Sequence, residues 1–443
     1  MHNRILIKLF AIGLLAVLLL IPLLMIRGTV AERQHYRNQV LADVARSYSG
    51  EQTLSGPVLV RPYRLARWTG ADAEGQRQLR WEQHEQLVLP SQLKVNGELQ
   101  TEQRARGIYQ ALVYGSQLEL QGRFELPAPP AGGADVAQIE LQDAYLAVGI
   151  SDARGLRNLP QLQWNQTSYP LAAGSQLKVI GNGIHARLGQ LPTSGSAGFQ
   201  LKLALNGMGS LNVLPLGRET EVKLKASWPH PSFIGQFLPE TRSINDQGFS
   251  AQWRTTWFAT NADELLQQCH AGQCGRLQEL SLGVRLVEPV DIYLMAERST
   301  KYGFLFVFLI FGAFFLFEVL KRLAVHPVQY GLVGLALALF FLLLLSLAEH
   351  IAFGLAYGIA AAASIALVSF YVAHVLRHAL RGIGFGALLG GLYGLLYVLL
   401  QSEDYALLLG SLLLFGLLGI AMFATRKVDW YQLGGQPAER HAD

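Results

Sequence analysis

The chain has 443 residues, 51% of them hydrophobic and only 15% charged, with a formal net charge of +4. So little charge excludes an ordinary soluble protein of this length, and is expected when a large share of the chain lies in lipid. The basic residues are scattered rather than gathered into one stripe, which excludes a nucleic-acid footprint.

The first element is an apolar run over residues 9–26, preceded by Arg4 and Lys8. A cleaved signal peptide is the rival reading, but its apolar core is usually shorter, and no A-x-A site follows in Met25-Ile26-Arg27-Gly28-Thr29. Residues 1–26 are therefore expected to stay as an anchor whose basic N-terminus is inside. Arg27, Arg33 and Arg37 beyond it run against a simple charge count, yet long domains translocate largely regardless of charge. Val30, Leu41, Val44 and Tyr48 recur at mostly helical steps among Glu32, Arg33, Asp43 and Arg46, so residues 27–50 read as an amphipathic linker helix closing near Gly50.

From residue 51 the texture changes to short alternating runs. Residues 58–60, 87–89, 93–99, 117–126, 138–150, 176–180, 199–205 and 222–227 read as strands, with Asn96-Gly97, Gly181-Asn182-Gly183 and Asn206-Gly207 as turn signals. So many strands at this spacing predict a sandwich-like β domain over residues 51–302. The Pro- and Gly-rich residues 126–135 read as a surface loop, and Ser91-Gln92-Leu93-Lys94-Val95 is echoed by Ser175-Gln176-Leu177-Lys178-Val179. A short helix near residues 261–268 leads to Cys269 and Cys274. On the exported side a disulfide between them is the leading reading, with free thiols as the alternative; His270 beside them still leaves a metal shell short of ligands.

Five apolar runs follow, over residues 303–320, 330–348, 354–376, 382–400 and 405–425. At 1.5 Å per residue each reaches about 30 Å, enough to cross hydrocarbon, and in lipid each must be a helix. Lys321/Arg322, Arg377/Arg381 and Arg426/Lys427 alternate with Glu349 and the Glu403/Asp404 pair. Basic ends stay inside, so this five-helix domain, residues 303–427, starts outside and finishes inside, leaving a cytoplasmic tail over residues 428–443. The expected fold is a membrane protein with six transmembrane helices, one N-terminal and five C-terminal, and the β-rich domain inserted between the first and second.

Catalytic signatures are missing: there is no H-E-x-x-H, no G-x-S-x-G and no G-x-x-x-x-G-K-[ST], and neither a metal nor a cofactor is expected. Gly382-Ile383-Gly384-Phe385-Gly386 opens a membrane helix rather than a nucleotide loop. Gly386, Gly390 and Gly394, like Gly354 and Gly358, recur every four residues as a stripe for close helix approach. The candidate polar sites in or beside the membrane are Glu318, His326, Glu349, His350, His374, Glu403 and Asp404. Intramembrane charge suggests function by default, but Glu318 lies near Lys321 and Arg322 and His374 near Arg377, so interfacial anchoring competes with a proton or ligand role. The Glu349-His350 and Glu403-Asp404 pairs read as carboxylates at the start of returning helices, where the dipole favours them.

Several stretches resemble the CreD family of inner-membrane proteins: His326-Pro327-Val328-Gln329-Tyr330-Gly331-Leu332-Val333-Gly334, Ser346-Leu347-Ala348-Glu349-His350, the run from Tyr393 to Ser411, Thr425-Arg426-Lys427-Val428-Asp429-Trp430-Tyr431, Leu54-Ser55-Gly56-Pro57-Val58-Leu59-Val60 and Val290-Asp291-Ile292-Tyr293. The resemblance implies an inner-membrane protein; with the orientation read from the end charges, both termini are expected to be cytoplasmic and residues 27–302 periplasmic. It also implies a link to the Cre two-component regulon, to cell-envelope integrity and to tolerance of certain colicins. It implies no catalytic residues, and the expectation is that the protein is not an enzyme. Three function classes stand. The first is an envelope-integrity protein whose β domain contacts an unidentified envelope protein or component while the helices sit in the bilayer. A transporter or channel built on the five-helix block is the second, and a membrane enzyme acting on lipid or cell-wall intermediates the third. The last two require Glu318, His326, His374 and the outer acidic pairs to converge on a cavity.

Overall fold

The computed structural model describes residues 2–71, 77–129, 133, 135–289, 291–321, 325–375, 378–402 and 406–426. The chain forms two compact units, Met1–Asn38 with Val290–Asp443, and Gln39–Pro289. In chain order the helices are α1 (His2–Leu18), α2 (Leu20–Ser47), the short α3 (Trp257–Thr260), α4 (Ala262–His270) and α5 (Gly275–Glu279), then α6 (Ile292–Lys321), α7 (Pro327–Ala348), α8 (Phe353–Val375), α9 (Ala379–Gln401) and α10 (Ala406–Thr425).

Five helical stretches among the described residues are long and apolar enough to cross a membrane: residues 10–47 and the helices α6 to α9. The apolar stretch Leu408–Ile420 lies within α10. α1 and α2 are almost continuous, interrupted only at Leu19, because Pro22 has no N–H to return to Leu18. The bond from Leu19 N–H to the Leu15 carbonyl, 2.9 Å, carries the helix across the break. α6 starts well before its apolar run: Asp291 accepts the backbone N–H groups of Tyr293 (3.0 Å) and Leu294 (3.2 Å), an N-cap that nucleates the helix among polar residues. His326 caps α7 in the same way, its side chain accepting from Val328 N–H at 3.3 Å while the Gln329 side chain accepts from the His326 backbone N–H at 3.0 Å. The core of this unit joins Leu23 from the first span, Phe306 and Phe314 from α6, Tyr330 and Phe340 from α7, Tyr357 from α8 and Leu389 and Tyr393 from α9.

The other unit is built on a nine-stranded and an eight-stranded sheet. Strand Gln52–Ala71 is the hub of the first, lying parallel to Ser210–Leu214 and antiparallel to Arg77–Val88, Val136–Leu141 and Ala144–Ile150. Strand Gln92–Arg106 lies parallel to Glu219–Ala226 and antiparallel to Tyr109–Leu126 in the second. Leu201, Leu203 and Leu205 alternate inward with Gln200 and Lys202 outward, and the inward sets of both sheets share one core that includes Leu59, Leu146, Val95, Leu120 and Trp253. Every residue of Ala144–Ile150 is buried, because α4 and α5 cover the other side of its sheet with Leu265, Leu266 and Leu277. At the entry to this unit, Asp152 accepts from Gly50 N–H (3.0 Å) and from Arg154, whose guanidinium holds the Asp152 carboxyl down to about 2 from its ordinary value.

Several strand and turn expectations differ from the structure. Residues 138–150 are not one strand but two, split after Leu141. Residues 176–180 form no strand: the Ser175 hydroxyl accepts from Leu177 N–H and donates to the Gly181 carbonyl, Gln176 sits at φ +60°, and a 3₁₀ turn follows at Lys178–Ile180. The echo with residues 91–95 is therefore not structural, since those enter a strand. Gly97 lies inside a strand, opposite Leu118 and Leu224, where a Cβ would come within 2.7–2.8 Å of both leucine side chains. Asn206-Gly207 is also mid-strand; the bend falls at Gly209, whose φ of +78° requires glycine. Gly181 and Gly183, at φ +68° and +156°, do make the expected turn.

Candidate functional site

The polar groups of the membrane unit collect in two places. At one end Glu318, 7% exposed on α6, accepts from Lys8 on α1, from the Val325 N–H at 3.1 Å and from the Tyr330 hydroxyl at 2.8 Å. Tyr330 is itself wedged between Phe311 and Phe314. Both carboxylate oxygens are thus occupied, one by a cation and a backbone donor and the other by a phenol. The cation described at Glu318 is Lys8; the expected partners, Lys321 by its side chain and Arg322, lie outside the described residues.

At the other end Glu349 accepts from the Tyr293 hydroxyl at 3.1 Å and faces Arg33 at 3.8 Å. Arg37 reaches Asp291 at 3.0 Å, and Arg27 and Lys301 reach Glu297 at 3.9 and 3.0 Å. Glu349 caps the C-terminus of α7 rather than opening α8, which begins at Phe353. A helix C-terminus disfavours a carboxylate, so this one is held by its phenol and guanidinium and not by a dipole. His350 is exposed beside it. Glu403 and Asp404 lie outside the described residues.

The two carboxylates do not converge. Tyr330 and Glu349 sit near opposite ends of α7, about 28 Å apart along its axis at 1.5 Å per residue. His326 spends its Nδ1 on capping α7, and His374 is exposed on α8 with its ring against Phe370 and its Nδ1 2.9 Å from the Phe370 carbonyl. Between the two ends lies a buried cluster of tyrosines with Ser364. Tyr357 donates to the Tyr393 carbonyl at 2.6 Å, and the Tyr393 hydroxyl lies 2.8 Å from Ser364 Oγ, within a ring cage of Phe306, Phe340 and Tyr397. Sequence reading missed this cluster; the signal was a tyrosine inside the apolar run of both α8 and α9, since a buried phenol needs a partner. Two hollows of about 430 and 270 Å³ between α7 and α8 are lined by residues such as Leu339, Leu343, Leu367 and Val368, and by none of the candidate sites.

The glycine stripe is displaced from the expected one. A Cβ on Gly386 would meet Ser369 Oγ at 2.3 Å, and one on Gly382 would meet the Ser369 carbonyl at 2.8 Å and Ala373 at 2.5 Å, so α8 and α9 touch there. Gly390 makes only an ordinary contact with Ile365, and Gly354 faces the Tyr397 hydroxyl at 3.0 Å. Gly358 and Gly394 would meet no described atom within 4 Å. In the β-rich unit Cys269 and Cys274 are bonded, joining the end of α4 to the start of α5. No group of three or more His, Cys, Asp or Glu that could hold a metal occurs among the described residues.

The family described as Inner membrane protein CreD matches residues 4–431. The chain is 36% identical over 416 residues to Inner membrane protein CreD of Escherichia coli (strain K12), covering 94% of this chain and 91% of that protein. Among solved structures, a putative nutrient binding protein from Legionella pneumophila aligns over 49% of this chain and 82% of its own at 9% identity, with a TM-score of 0.21, too low to carry any argument.

Proposed function

The chain belongs to the CreD family of inner membrane proteins, and from that premise we infer that it supports cell-envelope integrity and tolerance of certain colicins, with its β-rich unit in the periplasm contacting an envelope component. Both termini are cytoplasmic and residues 27–302 are exported in this reading. The membrane helices anchor the protein and catalyse nothing. One observation carries the division of labour: the carboxylates of Glu318, buried, and Glu349, partly buried, are each engaged by a cation and a tyrosine at opposite ends of α7. A transporter or lipid enzyme needs such groups gathered on one cavity, and the described hollows hold none of them.

Three arginines that contradict a simple basic-inside count support the exported assignment. Arg27, Arg33 and Arg37 are matched by Glu297, Glu349 and Asp291, so their charge is locally compensated outside. The test is to excise residues 51–289, which make up most of the compact unit Gln39–Pro289. Envelope phenotype should be lost while the helices still insert; an intact phenotype in that variant would move the active part into the membrane.

A further inference from the structure

We propose that the outward face of the eight-stranded sheet carries a saccharide-binding trough, and that the envelope component contacted by the β-rich unit is a neutral glycan chain. This rests on the reading that this unit makes the contacts.

The trough follows from strand register. Gln163 pairs with Gln200, Gln200 with Gln121, Gln121 with Lys94 and Lys94 with Glu221, so one row of long polar side chains crosses five strands, about 19 Å at the usual strand spacing. Beside this row lies a hollow of about 420 Å³, reaching Gln163 and Gln200. A second, of about 530 Å³, shares Gln92 and Arg123 with it and extends to Arg218, Asp263 and Trp257. The side-chain amides of Gln92, Gln121 and Gln163 make no hydrogen bond to described residues, which leaves them available to a ligand. At the end of the trough Trp257 is 48% exposed; its backbone N–H is tied to the Arg218 carbonyl at 2.7 Å and its ring rests against Phe258 at 4.3 Å. An indole on a fixed backbone that keeps an open face is a stacking platform.

The chemistry selects the ligand. Lys94, Arg123 and Arg218 are balanced by Glu125, Glu219 and Asp263 along the two hollows, so a nucleic acid or polyphosphate finds no net positive field. A protein partner requires a desolvated apolar centre with anchor pockets, which this amide- and charge-rich lining lacks, and a strand cannot add to a sheet face as it can to an edge. A sugar chain suits it: hydroxyls pair with amides, guanidinium and carboxylate groups, and the apolar face of a ring stacks on Trp257.

The full-length protein in lipid nanodiscs should be titrated with neutral hexasaccharides, namely β-1,4-linked N-acetylglucosamine, β-1,3-linked glucose and α-1,4-linked glucose, and followed by saturation-transfer NMR. At least one should bind. Trp257→Ala should weaken it about tenfold and Gln121→Ala with Gln163→Ala about threefold or more, whereas Trp257→Phe, which keeps a ring, stays within about threefold of wild type. Binding of none of the three, or binding that ignores Trp257→Ala, overturns the assignment. A phenotype lost on excision of residues 51–289 while no sugar binds would sink the glycan and leave the contact role of the unit standing.

Discussion

Lys8 and Glu318 are 310 residues apart in the chain, yet they form the most deeply placed ion pair described in the membrane unit. Removing one member of a buried pair leaves the other charge desolvated and alone, which costs more than the pair itself contributes. Lys8 remains 25% accessible, so the cost is set below that of a fully buried pair, at about 2–3 kcal/mol. Glu318→Gln should therefore lower the amount of folded protein and its melting temperature in detergent, and adding Lys8→Met should restore much of both. Recovery of envelope phenotype in the double variant is the expected result of a structural tie. If stability recovers and the phenotype does not, Glu318 acts chemically and the anchor role of the helices is wrong. Glu318 was legible from sequence but Lys8 was not: a carboxylate near Lys321 and Arg322 has an obvious local reading, and it takes the packing of α1 against α6 and α7 to bring Lys8 to it.

The helices were largely legible as elements because a membrane helix must be a long uninterrupted apolar run, and charge marks its ends. The boundaries that differ are those set by capping: Asp291 starts α6 among Glu297, Arg298 and Lys301, where hydropathy shows no span. The β-rich unit was less legible. Period-two alternation found strands such as those containing Leu93–Leu99 and Leu201–Leu205, but the meaning of glycine there depended on neighbours the sequence does not show. Gly97 is set by two leucines in adjacent strands, and Gly181 by its own backbone angle. The same dependence governs the α8–α9 contact and gives a paired prediction. Gly382→Val would drive a side chain into the backbone of Ser369, with an overpacking cost of about 1–3 kcal/mol, whereas the Cβ of Gly394→Val meets no described atom within 4 Å. Thermal unfolding in detergent should fall clearly for the first and stay near wild type for the second; equal effects would mean that the helices approach elsewhere.

For the whole molecule, alternating end charges in the sequence predict an orientation, and the structure offers a reason why the exceptions are tolerable. Arg27, Arg33 and Arg37 each have a carboxylate on α6, beside the end of α7 or at the N-cap of α6, so the charge that should hold the linker inside is compensated once the helices assemble. The periplasmic placement of the β-rich unit is the central claim, since envelope contact, a disulfide between Cys269 and Cys274 and an exposed glycan trough all depend on it. A pair of alkaline phosphatase fusions tests it most directly, one inserted at Gly133 and one following Arg426. The first should be active and the second inactive; phosphatase activity only after Arg426 would place the β-rich unit in the cytoplasm and contradict the proposed function.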